Sequence, residues 1–153
     1  MRLVQAQIKD LDDVISITQT TIMAVYPKYY PAGAVEFFSK HHSDEKVKAD
    51  IEAGLVYILE DEGKGVGTVT VSGNHINRLF VLPECQGKGF GGRLIAFAEE
   101  LVSQKYGHAE LSASFPAKAI YLKKGYEATE FHSILTENGD YLCYDYMKKE
   151  FLK

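Results

Sequence analysis

Tryptophan is missing from this chain, cysteine and proline are scarce, and neither sign of charge dominates. Two cysteines, Cys85 and Cys143, in 153 residues exclude a disulfide framework and suit reduced thiols. No apolar run approaches the roughly 18 residues that a membrane-crossing helix needs, and the first residues lack a secretory leader, so a cytoplasmic location is expected. No more than two lysines stand side by side, and the formal net charge is -4. That balance argues against nucleic acid and anionic membranes as partners, and leaves room for a cationic substrate such as an amine. Repeats, low-complexity tracts and linkers are absent too, so the whole chain, 1–153, reads as one domain.

What is present alternates between strand and helix patterns. Arg2 to Ile8 reads as a strand, with Asp10 as the cap of a helix whose apolar face is Leu11, Val14, Ile15, Ile22 and Val25. A tyrosine-rich turn, Tyr26 to Pro31, leads into a helical segment through Phe37 and Phe38. Ser43 caps a further helix that stops at Gly54. Just before it, adjacent His41 and His42 read as a solvated pair, with no third metal ligand near them in sequence. Leu55–Glu60, Gly65–Ser72 and His75–Leu82 are predicted as three antiparallel strands joined by turn sequences. A strand at Ala109–Ala113, a helix at Ala117–Lys124, and a hairpin turned by Asn138-Gly139 with a last strand Tyr141–Met147 follow. The sum is an α/β (α+β) chain: a mixed sheet with helices on both faces.

The stretch that points to function runs from Leu79 to Leu94. It reads as a buried strand, a loop almost all glycine after Gln86, and a helix with Leu94, Phe97, Ala98, Leu101 and Val102 on one face. A glycine-rich turn ahead of a helix leaves several backbone N–H groups unpaired, aimed alike, at the positive end of the helix dipole. That is a site for phosphate or diphosphate. Gly87, Gly89 and Gly92 satisfy the dinucleotide pattern G-x-G-x-x-G, but the residues Leu82 to Gln86 separate strand from glycines, and no acid ends the next strand. A nucleotide P-loop needs Ser or Thr after its lysine, whereas Lys88 is followed by Gly89.

The stretch instead resembles the GNAT superfamily of N-acetyltransferases. Gln86, Gly89 and Gly91, after Val81 and Pro83, match its Gln/Arg-x-x-Gly-x-Gly/Ala signature. A second motif of the family, small polar, Ala, Tyr, then Gly-aromatic, is matched by Ser114, Ala117, Tyr121, Gly125 and Tyr126. The two come in the family's order and separation. The resemblance implies a GNAT fold, a mostly antiparallel sheet of six to seven strands, and acetyl transfer from acetyl-CoA to a primary amine, with CoA as product. It implies that Gln86, Gly87, Lys88, Gly89, Phe90, Gly91 and Gly92 hold the diphosphate. Leu79, Phe80 and Val81 would pair with the pantetheine amides, as an added strand does, and an N–H near Val81 would stabilise the oxyanion. Ser114 stands where the family usually has asparagine, and its hydroxyl can still reach the pantetheine. Lys118, with Lys123 and Lys124, lies where a 3'-phosphate would be met.

By the same resemblance Tyr121 is the acid that protonates the departing thiolate; a phenol near pKa 10 can serve a thiol near 8.5. The base is open. His75, on the strand lining the cleft, titrates in the right range, and Glu110, Asn77 or a water chain are substitutes. Tyr26, Tyr29 and Tyr30 are candidates for the acceptor wall, as a cation–π surface, against a reading as packed aromatics. Cys85 has no paired base to activate it as a nucleophile. The expected partners are a small-molecule amine and, through the edges of the last strands, a second copy of the chain; no metal is expected. Two other readings stay open: a non-catalytic module that binds CoA or acetyl-CoA, and a dinucleotide-binding domain.

Overall fold

A computed structural model describes residues 1–151. Strands β1 (Arg2–Gln5), β2 (Val56–Asp61), β3 (Lys64–Ser72), β4 (His75–Val81), β5 (His108–Ala113), β6 (Glu127–Leu135) and β7 (Tyr141–Glu150) form one seven-stranded sheet. Its order is β1-β2-β3-β4-β5-β7-β6, and every neighbouring pair is antiparallel except the parallel β4 and β5. The mixed, mostly antiparallel sheet expected from the sequence is the one that forms.

The helices are α1 (Leu11–Val25), α2 (Ala32–His41), α3 (Asp44–Glu52), α4 (Phe90–Ser103) and α5 (Phe115–Lys123). They cover both faces, as the alternation along β2 shows. Val56 and Ile58 pack with Val14 of α1 and with Val47 and Ile51 of α3. Tyr57, between them, meets the ring of Phe97 on α4 at 4.9 Å. Leu59, Leu94 and Leu111, at most 2% exposed, each contribute about 1.5–3 kcal/mol by burial. Among the described residues, no helix is long and apolar enough to cross a membrane.

Local signals mostly hold. The Ser43 hydroxyl accepts the Lys46 amide, and Gly54 turns the chain out of α3 at φ +75°. Asp10 departs from its expected role: its carboxylate accepts the amide of Gln7 at 2.9 Å instead of capping an amide of α1.

One irregularity shapes the centre. β4 spends three steps, Asn77 to Phe80, where β3 spends two, Thr70 to Thr68. The extra residue is a β-bulge, with Arg78 in the left-handed region at φ +46°. Pairing between β4 and β5 ends just before it, after His75–Glu110 and Ile76–Leu111. Beyond Ile76 the two central strands separate, and the edge of β4 facing β5 is left unpaired.

The far side of the opening is held by a clasp. The amide of Gly33, in the first turn of α2, donates to the Asp140 carboxylate at 2.8 Å in the turn between β6 and β7. A Cβ on Gly33 would run into the Asn138 side chain, which would have to turn away.

Candidate active site

The turn from Pro83 to Cys85 carries the chain from β4 to the glycine loop. Gly87 and Gly89 lie at φ +79° and +88°, left-handed values that suit glycine. The amides from Gly87 through Gly92 have no acceptor among the described residues; the first helical bond of α4 is Arg93 to Gly89. They form a cradle for an anion at the helix N-terminus.

Gln86 is placed differently from the expectation. Its own amide is spent on Pro83, and its side-chain amide donates to the Val81 carbonyl at 3.0 Å. The Thr21 hydroxyl of α1 donates to the same carbonyl at 3.3 Å. Gln86 therefore braces the strand end, and the free donors begin at Gly87.

A cavity of about 450 Å³ runs from this loop into the gap between β4 and β5. Gln86, Gly87, Phe90, Gly91 and Gly92 line one end, and Leu79, Phe80, Val81, Ser114 and Tyr121 the other. Lys88 and Gly89 are exposed outside it. On α5, Ala117, Ile120, Tyr121 and Lys124 face the cavity, at helical spacing. Lys124 Nζ hangs over the loop, 3.4 Å from where a Cβ on Gly92 would sit. Lys118, about 100° round the helix from Ala117, instead pairs with the buried carboxylate of Asp145 at 3.2 Å. Of the three lysines expected near a 3'-phosphate, Lys124 is the one over the loop, and Lys118 is turned to Asp145. The shape, the free amides and the lysine fit an elongated ligand with a diphosphate at one end.

A second cavity, about 370 Å³, opens beyond the split. His75, Asn77 and Arg78 of β4 line it, with Phe38, His41 and His42 from the end of α2 and Leu142, Tyr144 and Tyr146 from β7. The two cavities share Tyr26, Leu79, Phe80, Ser114, Ala117 and Tyr121.

Tyr121 is held by its neighbours. Gly125, at φ +94°, ends α5. The next residue, Tyr126, is 2% exposed and donates to Glu99 of α4 at 2.9 Å. The rings of Tyr121 and Tyr126 meet edge to face at 5.6 Å. Burial, and then Tyr26, raise the Tyr121 pKa above its ordinary value, so the phenol keeps its proton at neutral pH. The amide of Phe115, which opens α5, donates to the Tyr30 hydroxyl at 2.7 Å; that hydroxyl in turn donates to the Cys143 carbonyl.

The three tyrosines of the predicted acceptor wall separate. Tyr30 is a strut between α5 and β7 and lines neither cavity. Tyr29, 51% exposed, touches only the first cavity. Tyr26 sits at the junction, packed against Phe38 at 4.6 Å, with the Ser114 hydroxyl against its own.

His75 lines the second cavity at the start of β4, on the other side of the Arg78 bulge from Leu79. Burial lowers its pKa against the opposing pull of Glu110, so its ring is neutral at pH 7. The histidine pair is not simply solvated. The His42 ring packs edge to face on Phe80 at 5.9 Å, and burial first, then His41, Arg78 and Lys46, push its pKa down to about 3.

Arg78 was missed in the sequence, where nothing marks it. Its side chain is 9% exposed, and its guanidinium pairs with Asp50 of α3. Lys124 was named together with Lys118 and Lys123; the signal that would have singled it out is the three-residue step from Tyr121 along one helix face.

The family profile described as "Acetyltransferase (GNAT) domain" matches residues 25–150. No curated protein matches the chain in sequence. A GCN5-related N-acetyltransferase structure from Rhodopseudomonas palustris superposes with a TM-score of 0.88 at 25% identity, covering 98% of this chain and 95% of the other. The PaiA N-acetyltransferase from Thermoplasma acidophilum, solved in complex with coenzyme A, gives 0.75 at 19% identity, over 98% of each chain. The ribosomal-protein-S18-alanine N-acetyltransferase from Escherichia coli gives 0.72 at 17%, over 99% and 94%. At those last two identities the likeness is one of fold.

Proposed function

From the premise that this chain belongs to the GNAT family and is an acetyl-CoA-dependent N-acetyltransferase, we propose that it acetylates a primary amine of a small molecule directly. One observation carries the proposal: a cavity with a diphosphate cradle and a second, separately lined cavity meet at Tyr121, Ser114 and Phe80. Two reactants entering from opposite ends meet there without a covalent relay.

Acetyl-CoA supplies an activated thioester. The amides of Gly87 to Gly92 bind and orient its diphosphate, and Lys124 adds a positive charge. The unpaired edge of β4 at Leu79, Phe80 and Val81 offers backbone groups to an amide-bearing arm, with the Ser114 hydroxyl opposite. Phe80 and Tyr26 exclude water from the junction. Tyr121 Oη is protonated at neutral pH and faces the junction, where it would protonate a departing thiolate whose charge the same burial destabilises. The proton of the incoming ammonium passes, through water, to the neutral imidazole of His75 in the wall of the second cavity. Asn77, between His75 and Leu79 on β4, is placed to hold such a water.

The test is an assay of CoA release and amide formation across a broad amine library. Tyr121→Phe should lower kcat by about a hundredfold or more, with the KM for acetyl-CoA within about twofold, since it removes one hydroxyl and leaves the ring. Unchanged turnover retires Tyr121 as the acid. Tight CoA binding without transfer to any amine would favour a non-catalytic CoA-binding module.

A further inference from the structure

The second cavity has a polarity of its own. None of its lining residues is an aspartate or glutamate. Its charged and titratable lining is one arginine, Arg78, three histidines, His41, His42 and His75, and the phenols of Tyr26, Tyr121, Tyr144 and Tyr146. Lys46 stands behind, 3.5 Å from the His41 ring. Carboxylates stand only behind that lining. Glu110, whose charge acts on His75, lies beside His108 at 3.4 Å, Glu130 pairs with His132 at 2.9 Å, Asp145 with Lys118 at 3.2 Å, and Asp50 takes one end of Arg78. A polyamine would find no anion in the wall itself, and burying its charges unpaired is costly.

Arg78 is built to receive something. The bulge puts it in a left-handed conformation that a non-glycine residue rarely adopts. Its side chain is more than nine-tenths buried, and Asp50 satisfies only part of a guanidinium with five N–H donors. The remaining donors have no acceptor among the described residues, and none is sealed from the cavity. Beside them His42 adds a second donor. Its Nδ1 is buried and unpartnered, and in the Nε2–H tautomer the ring offers that donor from the cavity wall. A neutral imidazole N–H next to a guanidinium fork is a pair of donors suited to an oxyanion.

We propose that the acceptor amine carries an oxyanion, a carboxylate or its phosphonate equivalent, bound by Arg78 and His42 while its amino group reaches the junction at Tyr121. This rests on the reading of the second cavity as the acceptor site. The aromatic walls of Phe37, Phe38 and Tyr144 accept an apolar body between the two ends.

The experiment compares each of the common L-amino acids with the amine it leaves on decarboxylation and with its carboxamide; aminoalkylphosphonates form a third arm. Two readouts are taken: kcat/KM for acetyl transfer, and calorimetric binding of the same amines with no acetyl donor present. The inference expects about a tenfold to hundredfold preference for the anionic member of at least one pair, the loss of one charge-assisted contact. The double substitution Arg78→Gln with Asp50→Asn, which leaves no buried charge unpaired, should abolish that preference, and His42→Phe should weaken it. Retained CoA binding certifies that each variant is folded. Decarboxylated amines or carboxamides that bind and react as well as the acids, in every pair, overturn the proposal. Preferential binding of acids without transfer to any amine would keep Arg78 as an oxyanion site and sink the catalytic reading instead. Phosphonates outrunning carboxylates would identify which oxyanion is meant.

Discussion

The two cavities that meet at Tyr121 are made of different material. The donor side is backbone: amides of a glycine loop and the bare edge of one strand, with few side chains essential to its shape. The acceptor side is side chain, gathered from α2, β4 and β7, segments more than a hundred residues apart in sequence. A backbone site is encoded by what its residues lack, and it tolerates drift elsewhere. A side-chain site is encoded by whatever happens to face inward, and one substitution can change what it takes.

That contrast can be broken most sharply at Gly89. Gly89→Val puts a β-branched side chain at φ +88°, which costs over 1 kcal/mol in strain alone and holds a diphosphate off the amides. CoA binding should weaken by about a hundredfold or more in calorimetry, with the acceptor cavity unaffected. Equal loss of amine binding would show that the halves are not independent.

Tyr30→Phe tests the strut between them. It leaves the Phe115 amide and the Cys143 carbonyl without their partner, at a cost of about 1–3 kcal/mol in urea unfolding. Because Phe115 opens α5, a further drop in turnover would show that the strut also positions Tyr121.

The acceptor side should carry the pH dependence of stability. His42 is held down to about 3 by burial, whereas an unfolded chain protonates it near 6.5. The unfolded state then binds more protons below pH ~6.5, so stability falls as pH drops from there toward 3. His41 and His75, also lowered by burial, act in the same direction. Urea midpoints at pH 7.5 and 5.5 should differ less in His42→Phe than in the native chain, by about 1 kcal/mol. An unchanged difference would place the buried imidazole elsewhere. The smallest effect is expected from Lys124→Ala, about a fivefold rise in the KM for acetyl-CoA that shrinks with added salt.

The same contrast explains what could be read from the sequence. The glycine loop, its helix and the Gly125-Tyr126 stop are local, with spacing and conformational demands that are visible in one stretch. The strand ends were legible to within a few residues, though β7 runs on to Glu150 through Lys148 and Lys149, whose charges mask the alternation. Arg78 was not legible, because a bulge at a non-glycine residue is decided by how β3 and β5 pair around it. Lys118 and Lys124 were separable only by helix angle, and the weak amphipathicity of α5, with Ile120 and Leu122 both exposed, hid which face turns inward. The fate of the tyrosines was likewise tertiary: Tyr30 finds Phe115 and Cys143, far along the chain.

The bond from Gly33 to Asp140 has a practical corollary for anyone re-engineering selectivity. The hairpin end and the helix facing it travel as one part, since neither surface fits without its counterpart. Exchanging only one of them with a homologue would mate mismatched pieces, and a library that shuffles both together would start from intact scaffolds.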